Sequence, residues 1–453
     1  GLPTRAAPIQ SAQLGRQLQR NPARPGCPPA SACLIPYPLL SMNYSLYFHI
    51  PFCSHRCAYC DFNTYAGQER LIPAYVEALC NEIRGVAACA PERLPVHTIF
   101  FGGGTPSLLT PVQFEQILQT VRDLFDLPEQ SEMELSLEAN PGTVTLDSLH
   151  GLRQAGFNRI SFGVQSFQPG ELCQLERIHD PLDVLNAVRW ARQAGFANLN
   201  LDLIYGLPEQ PLERWQANVK LAVELAPQHL SLYALTIEHG TPYGRWAGHG
   251  LLPLPDPDLA ADMYEWASEY LEGQGYEQYE ISNWSKPGYQ CRHNLQYWRN
   301  LPYLGFGAGA HGCANGMRIS DVLRIKTYID RINPEYAIPG SLFPLSPATI
   351  TQTRLSRFVE MQETMMLGLR LTREGVSDDT FRARFGQDLM AVFGKEINEL
   401  VGLGLLERVL TPMLGASPGP SPATRERGEG MRLRLTRRGR LLGNQVFMRF
   451  VGD

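Results

Sequence analysis

The spacing of hydrophobic and polar positions changes several times along the chain, and the changes mark its elements. Six short runs read as strands: SLYFHI (45–50), VHTIFF (96–101), MELSLE (133–138), RISFGV (159–164), NLNLDLI (198–204) and HLSLYAL (229–235). Each is rich in β-branched and aromatic residues, and a helical pattern separates each from the next, which predicts parallel pairing. Two signals sharpen the helix ends. Thr110-Pro111-Val112-Gln113 offers an N-cap, a proline at the first helical position and a capping-box glutamine. The string RQAGF occurs twice, at 153–157 and 192–196, each time after a helix and before a strand. Gly156 and Gly195 there suit the left-handed residue that ends a helix. Repeated helix–glycine–strand units predict an α/β fold, and six of them an open, partial (β/α)6 barrel rather than the closed eight-unit form.

The pattern then shifts. A long helix is predicted over 258–273, followed by aromatic-rich loops to Gly316. From Arg354, RFVEMQETMMLGLRL, DTFRARFG and LMAVFGKEINELVGLGLL read as three amphipathic helices. They lead into RLRLTRRGRLLGNQVFMRF, which has the look of the strands and final helix of a winged-helix-like module. The stretch 411–430 (TPMLGASPGPSPATRERGEG) interrupts it and reads as a flexible surface insertion. Residues 1–41 are rich in Pro, Arg, Ser and Ala, carry no acid and have no apolar core for a secretory signal. They read as a disordered or upstream-translated segment, with a transit peptide as the alternative. The expected division is therefore 1–41, a barrel core over 42–255, a barrel extension over 256–350 and a C-terminal winged-helix-like domain over 351–453.

Composition narrows the function. A chain of 453 residues allows two or three domains, and 40 Lys+Arg against 45 Asp+Glu give a net charge of −5. That balance argues against a protein that wraps nucleic acid, so the arginine-rich 425–440 reads as a solvated loop and wing. No run approaches the ~18 apolar residues of a membrane-spanning helix. Ten cysteines are too sparse for a disulfide scaffold, and three of them fall within eight positions, Cys53-Ser-His-Arg-Cys57-Ala-Tyr-Cys60. Clustered thiols in such a chain point to metal chemistry in a reducing compartment, the cytoplasm. The triad follows the first strand, at the end where α/β barrels carry their active sites. Three thiolates can hold three irons of a [4Fe–4S] cube and leave the fourth open. Zinc is the alternative, although structural zinc takes four ligands, no second pair follows, and Phe62 rather than a fourth cysteine comes next. Phe101-Gly102-Gly103-Gly104-Thr105-Pro106 follows the second strand. Its glycines permit close approach of a ligand, and its N–H groups are candidates to receive an anionic group.

CxxxCxYC followed by GGGTP after the next strand resembles the radical S-adenosylmethionine (SAM) superfamily. LYFHIPFC, CDFNTY, FFGGGTPS, EANPG, GVQSF, LDLIYGLPEQ, SLYALTIEHGTP and CRHNLQYW extend the resemblance over almost all of 42–453. They are similar to the anaerobic coproporphyrinogen III oxidase lineage, and within it to the HemW family of heme chaperones. The resemblance implies that Cys53, Cys57 and Cys60 hold a [4Fe–4S] cluster whose open iron is chelated by SAM, with Tyr59 and Tyr47 as SAM contacts. It implies further SAM contacts at Gly103, Gly104, Thr105 and Glu138, and a set at Gln165, Arg177 and Asp202 that holds a second SAM in the oxidase. His49 and His179 read as packing residues or as supports behind the site. The oxidase carries a fourth cysteine where this chain has Phe62. The chaperones instead carry HNxxYW, here His293-Asn294-Leu295-Gln296-Tyr297-Trp298, which makes His293 the expected heme-binding residue and leaves the Cys291 thiolate as another iron ligand. The implied function is a heme chaperone that binds heme, cluster and SAM and passes heme to an acceptor protein, in solution or at a membrane, with no nucleic-acid partner. Two alternatives stand beside it: an oxygen-independent coproporphyrinogen III oxidase in porphyrin biosynthesis, and a zinc-binding winged-helix regulator.

Overall fold

The computed structural model describes residues 43–332, 342–412 and 429–451. Strands β1 (Tyr44–Ile50), β2 (Val96–Gly103), β3 (Glu134–Ala139), β4 (Arg159–Gln165), β5 (Asn198–Tyr205) and β6 (His229–Ala234) lie side by side in chain order, every neighbouring pair parallel. Helices α1 (Ile72–Ala88), α2 (Pro111–Leu124), α3 (Leu146–Gln154), α4 (Pro181–Gln193) and α5 (Leu212–Glu224) make the crossovers. This is the α/β partial barrel the spacing predicts. Thr110 and Gln113 form the reciprocal capping box that starts α2. After α3, Gly156 sits at φ 107° and the Phe157 N–H reaches Leu152 O at 3.1 Å. Gly195 repeats the arrangement after α4 at φ 91°, with Phe196 N–H on Ala191 O at 2.9 Å. A residue with a Cβ would be strained in that left-handed position, so both copies need glycine.

The strands sort their side chains by alternation. Leu46, Phe48, Ile99, Phe101, Leu137, Ile160, Phe162 and Leu201 are all fully buried in the core beneath the helices. The other face points into the barrel and is polar. There Ser45 meets Thr98 at 2.5 Å, Ser161 meets Asp202 at 2.8 Å and His229 meets Asn200 at 2.6 Å. The lumen is thus built to hold polar chemistry.

The stretch after the predicted long helix, α6 (Pro257–Gly273), differs from the expectation of loops. It contains β7 (Glu277–Glu280), β8 (Asn283–Ser285), helix α7 (Arg292–Trp298), and β9 (Tyr303–Phe306), β10 (His311–Ala314) and β11 (Met317–Asp321). With β12 (Thr349–Arg354) these complete a twelve-stranded sheet among the described residues, in the order β12-β11-β10-β9-β1-β2-β3-β4-β5-β6-β8-β7. Strand β9 is parallel to β1, a seventh parallel strand. These strands are short, and glycine interrupts β9 and β10, which weakens the period-two signal. A Cβ at Gly305 would lie 2.0 Å from His311 O, so the close β9–β10 approach depends on glycine there.

The C-terminal module has helices α8 (Arg357–Gly368), α9 (Asp378–Phe385), α10 (Leu389–Gly402) and α11 (Gly443–Val451) around its own core of Met365, Phe381, Ile397, Leu433 and Phe450. Its antiparallel sheet orders β13 (Val376–Ser377), β15 (Glu429–Leu435) and β14 (Leu406–Pro412), with β15 central. The ends of the expected 411–430 insertion are paired strand, Thr411 with Gly430 and Pro412 with Glu429. Its interior, and the segment expected over 1–41, lie outside the described residues.

Candidate functional site

Past Ile50 the chain turns at the barrel mouth, and Phe52–Cys53 pairs with Tyr65–Ala66 to frame the cysteine loop. Cys53 is buried, and Cys57 and Cys60 are half-buried; all three are free thiols. Thr105 Oγ1 donates to Cys53 Sγ at 3.6 Å, and Arg177 Nη1 donates to Cys57 Sγ at 3.5 Å. Burial lifts both the Cys53 and Cys60 thiols, the latter up to about 11, and the neighbouring thiols push in the same direction. The three sulfurs therefore sense one another. Structural zinc takes four ligands, whereas three thiolates suffice for a cube that leaves one iron open. The soft donor set, with hydrogen-bond donors already aimed at two sulfurs, fits a three-thiolate [4Fe–4S] cluster.

The glycine segment packs directly against this loop. A Cβ at Gly104 would lie 2.5 Å from Phe52 O and 3.1 Å from Cys53 Sγ, so only glycine lets the two loops touch. Gly103 has φ 111°, and a Cβ there would overlap the His49 ring at 2.5 Å. One expectation is corrected. The N–H groups of this segment are not free for an anion, because they tie the loops together. Gly104 N–H donates to Ile50 O at 2.8 Å, Thr105 N–H to Phe52 O at 2.8 Å, and Gly103 N–H to Glu138 Oε2 at 3.0 Å.

Around that contact the strands present an arc of polar groups. Glu138 is half-buried, and desolvation first, then the nearby Asp202 carboxylate, raises its carboxyl to about 7. Asp202 accepts from Ser161 and from Asn200, each at 2.8 Å. Arg177 Nη2 donates to Gly163 O at 2.7 Å, and a Cβ on Gly163 would lie 3.0 Å from Gln165 Nε2 and 3.3 Å from Arg177 Nη2. Gln165 itself adopts φ 66°. Tyr59, on the cysteine loop, feels the Arg177 charge and meets Tyr243 edge-on at 6.4 Å. Tyr47 donates to His49 Nδ1 at 3.0 Å, because His49 Nε2–H is committed to the Asn63 carbonyl at 2.9 Å. Burial drives His49 down to about 4, so it is neutral under the glycines. The sequence left His49 as packing or as a support behind the site, and the structure places it beneath Gly103, with Tyr47 and Asn63 on its two nitrogens. His179 packs as expected, between Asn140 Oδ1 at 3.1 Å and Val164 O at 3.0 Å.

The HNxxYW segment lies elsewhere, at the barrel floor. Its helix α7 is capped from β3: the Glu134 carboxylate accepts the backbone N–H groups of Arg292 and His293, each at 2.9 Å. His293 is 1% exposed, and burial takes it down to about 3. Both ring nitrogens are engaged, Nδ1 with Thr98 Oγ1 at 2.9 Å and Nε2 with the Tyr297 hydroxyl at 2.8 Å. The ring stacks on Phe100 at 5.2 Å. Trp298, one turn on, instead enters the C-terminal core beneath Arg370, whose Cζ is 4.4 Å from its ring centroid. The helix therefore bridges two cores. Cys291 is fully buried and burial lifts its thiol to about 12, so it stays protonated against Glu134 Oε1 at 3.5 Å. Arg159 and Glu134, at the inward starts of β4 and β3, carried no motif signal and were missed.

Comparisons with known proteins identify the family. Residues 47–222 match the radical SAM superfamily model, and residues 355–408 match that of the HemN C-terminal domain. The chain is 36% identical over 409 residues to heme chaperone HemW of Bacillus subtilis, a match covering 90% of this chain and 99% of that one. It is 39% identical over 341 residues to heme chaperone HemW of Synechocystis, covering 73% and 79%. A mouse protein, radical S-adenosyl methionine domain-containing protein 1, mitochondrial, is 36% identical over 376 residues, covering 81% and 82%. Among solved structures, coproporphyrinogen III oxidase (HemN) from Escherichia coli superposes with a TM-score of 0.71, covering 90% of each chain at 24% identity, a likeness of fold. Since the likeness to the first of these relatives runs along nearly that protein's whole length, the chain belongs to the HemW heme chaperone family of the radical SAM superfamily.

Proposed function

We propose that this chain is a heme chaperone that works in the reducing cytoplasm, binding heme and handing it to an acceptor protein. The observation that carries the reading is the match to heme chaperones along 99% of a relative's length. Cys53, Cys57 and Cys60 would hold the [4Fe–4S] cluster, with SAM beside Gly103, Gly104, Thr105, Glu138, Tyr47 and Tyr59. Gln165, Arg177 and Asp202 continue the same polar arc and extend the SAM-facing wall. A bound site-open cluster supplies one-electron chemistry at SAM. The chain's own residues shape the surroundings. Thr105 and Arg177 direct N–H and O–H donors at the sulfurs, which favours thiolate over thiol. Glu138, with a carboxyl near neutrality, can accept from an ammonium as carboxylate while holding the glycine segment in place.

We assign the barrel to 42–255, its extension to 256–350 and the winged-helix-like module to 351–453. His293 is a structural key as it sits, because axial ligation would require Nε2 to exchange the Tyr297 hydroxyl for iron. The test is anaerobic reconstitution with iron and sulfide, then heme titration, transfer to an apo-heme protein, and a coproporphyrinogen assay on the same sample. Bound heme that moves to the acceptor, with no protoporphyrinogen IX formed, supports the chaperone. Protoporphyrinogen IX production would replace it with the oxidase.

A further inference from the structure

Arg159 opens β4 on the lumen side and is 2% exposed. Its Nε has no hydrogen-bond partner, and the guanidinium makes no ion pair among the described residues. Burial opposes its charge, and the nearby Cys291, Glu134, Tyr279 and Asp202 groups outweigh that and favour the charged form, yet the two carboxylates make their hydrogen bonds elsewhere. Glu134 caps α7, and Asp202 accepts from Ser161 and Asn200. Directly across on β3, in register with Arg159, Ser136 is fully buried and its Oγ is also unpartnered. Neighbours in a parallel pair share a face, so Arg159 and Ser136 project from the same side of the sheet. Buried N–H and O–H groups whose hydrogen bonds are unmade are costly unless a ligand supplies the acceptor. The mouth above is open, since Tyr47, Glu138, Asp202 and Tyr233 are all partly exposed.

We propose that Arg159 and Ser136 form an anion seat at the barrel floor that takes a carboxylate of the ligand entering the lumen. A planar guanidinium fork matches a carboxylate bidentately, and the serine hydroxyl adds a third donor. Resting on the heme-chaperone reading, that carboxylate is a heme propionate. Tyr47, Phe100 and His293 stack in a row close by, and the half-buried edges of Tyr47 and Phe100 are what a porphyrin edge would meet.

The experiment titrates heme, heme dimethyl ester and SAM into anaerobically reconstituted full-length chain, as wild type, Arg159→Met, Arg159→Lys and Ser136→Ala. Wild type should bind heme about tenfold more tightly than the diester, in which both carboxylates are masked. Arg159→Met should erase that preference, Arg159→Lys should keep part of it, and Ser136→Ala should reduce it, with SAM binding followed by cluster EPR unchanged throughout. If Arg159→Met fails to fold, the Arg159→Lys and Ser136→Ala preferences decide. Equal wild-type affinity for heme and diester, or an undiminished preference in the variants, overturns the seat. A loss of SAM affinity with the heme preference intact gives the seat to the SAM carboxylate and overturns the propionate. Failure of wild type to bind either porphyrin would instead overturn the chaperone reading itself.

Discussion

His293→Ala separates a structural key from an axial ligand. The variant removes an imidazole that is 1% exposed, stacked on Phe100 at 5.2 Å and edge-on to Tyr297 at 5.1 Å. Lost packing and the cavity left behind cost about 2–3 kcal/mol for a ring of this size. Thr98 keeps its bond to Ser45 at 2.5 Å, but the Tyr297 hydroxyl loses its partner at 2.8 Å. That orphaned group adds about 1–2 kcal/mol, giving about 3–5 kcal/mol in total. Tyr297→Phe removes only the hydroxyl and should lose about 1–2 kcal/mol by leaving Nε2 unpaired. Chemical denaturation of the apo chain measures both, and the double variant should lose less than the sum because the two groups share one bond. Heme affinity of the folded fraction is read on the same preparations. A His293→Ala midpoint within about 0.5 kcal/mol of wild type, with heme binding abolished, would refute the structural account and restore the ligand.

Replacing Cys53, Cys57 or Cys60 with Ala should each abolish the reconstituted cluster, and iron and sulfide near wild-type content in any of them would contradict the assignment. Gly104→Ala should also deplete the cluster, because the new Cβ meets Phe52 O at 2.5 Å, whereas Gly85→Ala, in open space on α1, should stabilise the chain by about 0.5–1 kcal/mol. Glu138 has a folded carboxyl raised from its ordinary value near 4.5 to about 7, so its protonated form favours folding and that contribution is lost as pH rises between those values. Apo Glu138→Gln should therefore gain melting temperature relative to wild type at pH 8.5 and lose that advantage by pH 4.5, and parallel melting curves at both pH values would contradict the shift.

The barrel was legible because its information is local. Leu46, Phe48, Phe101 and Phe162 announce strands, and the two RQAGF strings announce helix ends that only glycine can make. The cysteine spacing and the glycine segment likewise carry their chemistry in consecutive residues. What stayed hidden is set by contacts distant in sequence. Strand β9 has four residues, and its pairing with β1 spans more than 250 positions. Glu134 reads as an ordinary strand carboxylate until the chain brings α7 onto it 158 residues later. The glycine N–H groups looked free because nothing local shows that Ile50 O, Phe52 O and Glu138 would claim them.

The side chains of the HNLQYW string are held from several sides. Each of its named side chains has a packing duty: His293 closes the barrel floor, Tyr297 holds the His293 ring and packs on Tyr303, and Trp298 enters the second core. Freeing Nε2 for iron would break a buried hydrogen bond and disturb a helix anchored at both ends, by Glu134 on one side and by the Arg299–Glu374 ion pair at 2.8 Å on the other. A porphyrin seated in the lumen by its carboxylate, with His293 left where it is, avoids that penalty. The anchored helix also does something a lone ligand could not: it ties the floor of the lumen to the C-terminal module, through Glu134 at one end and Trp298 and Arg299 at the other.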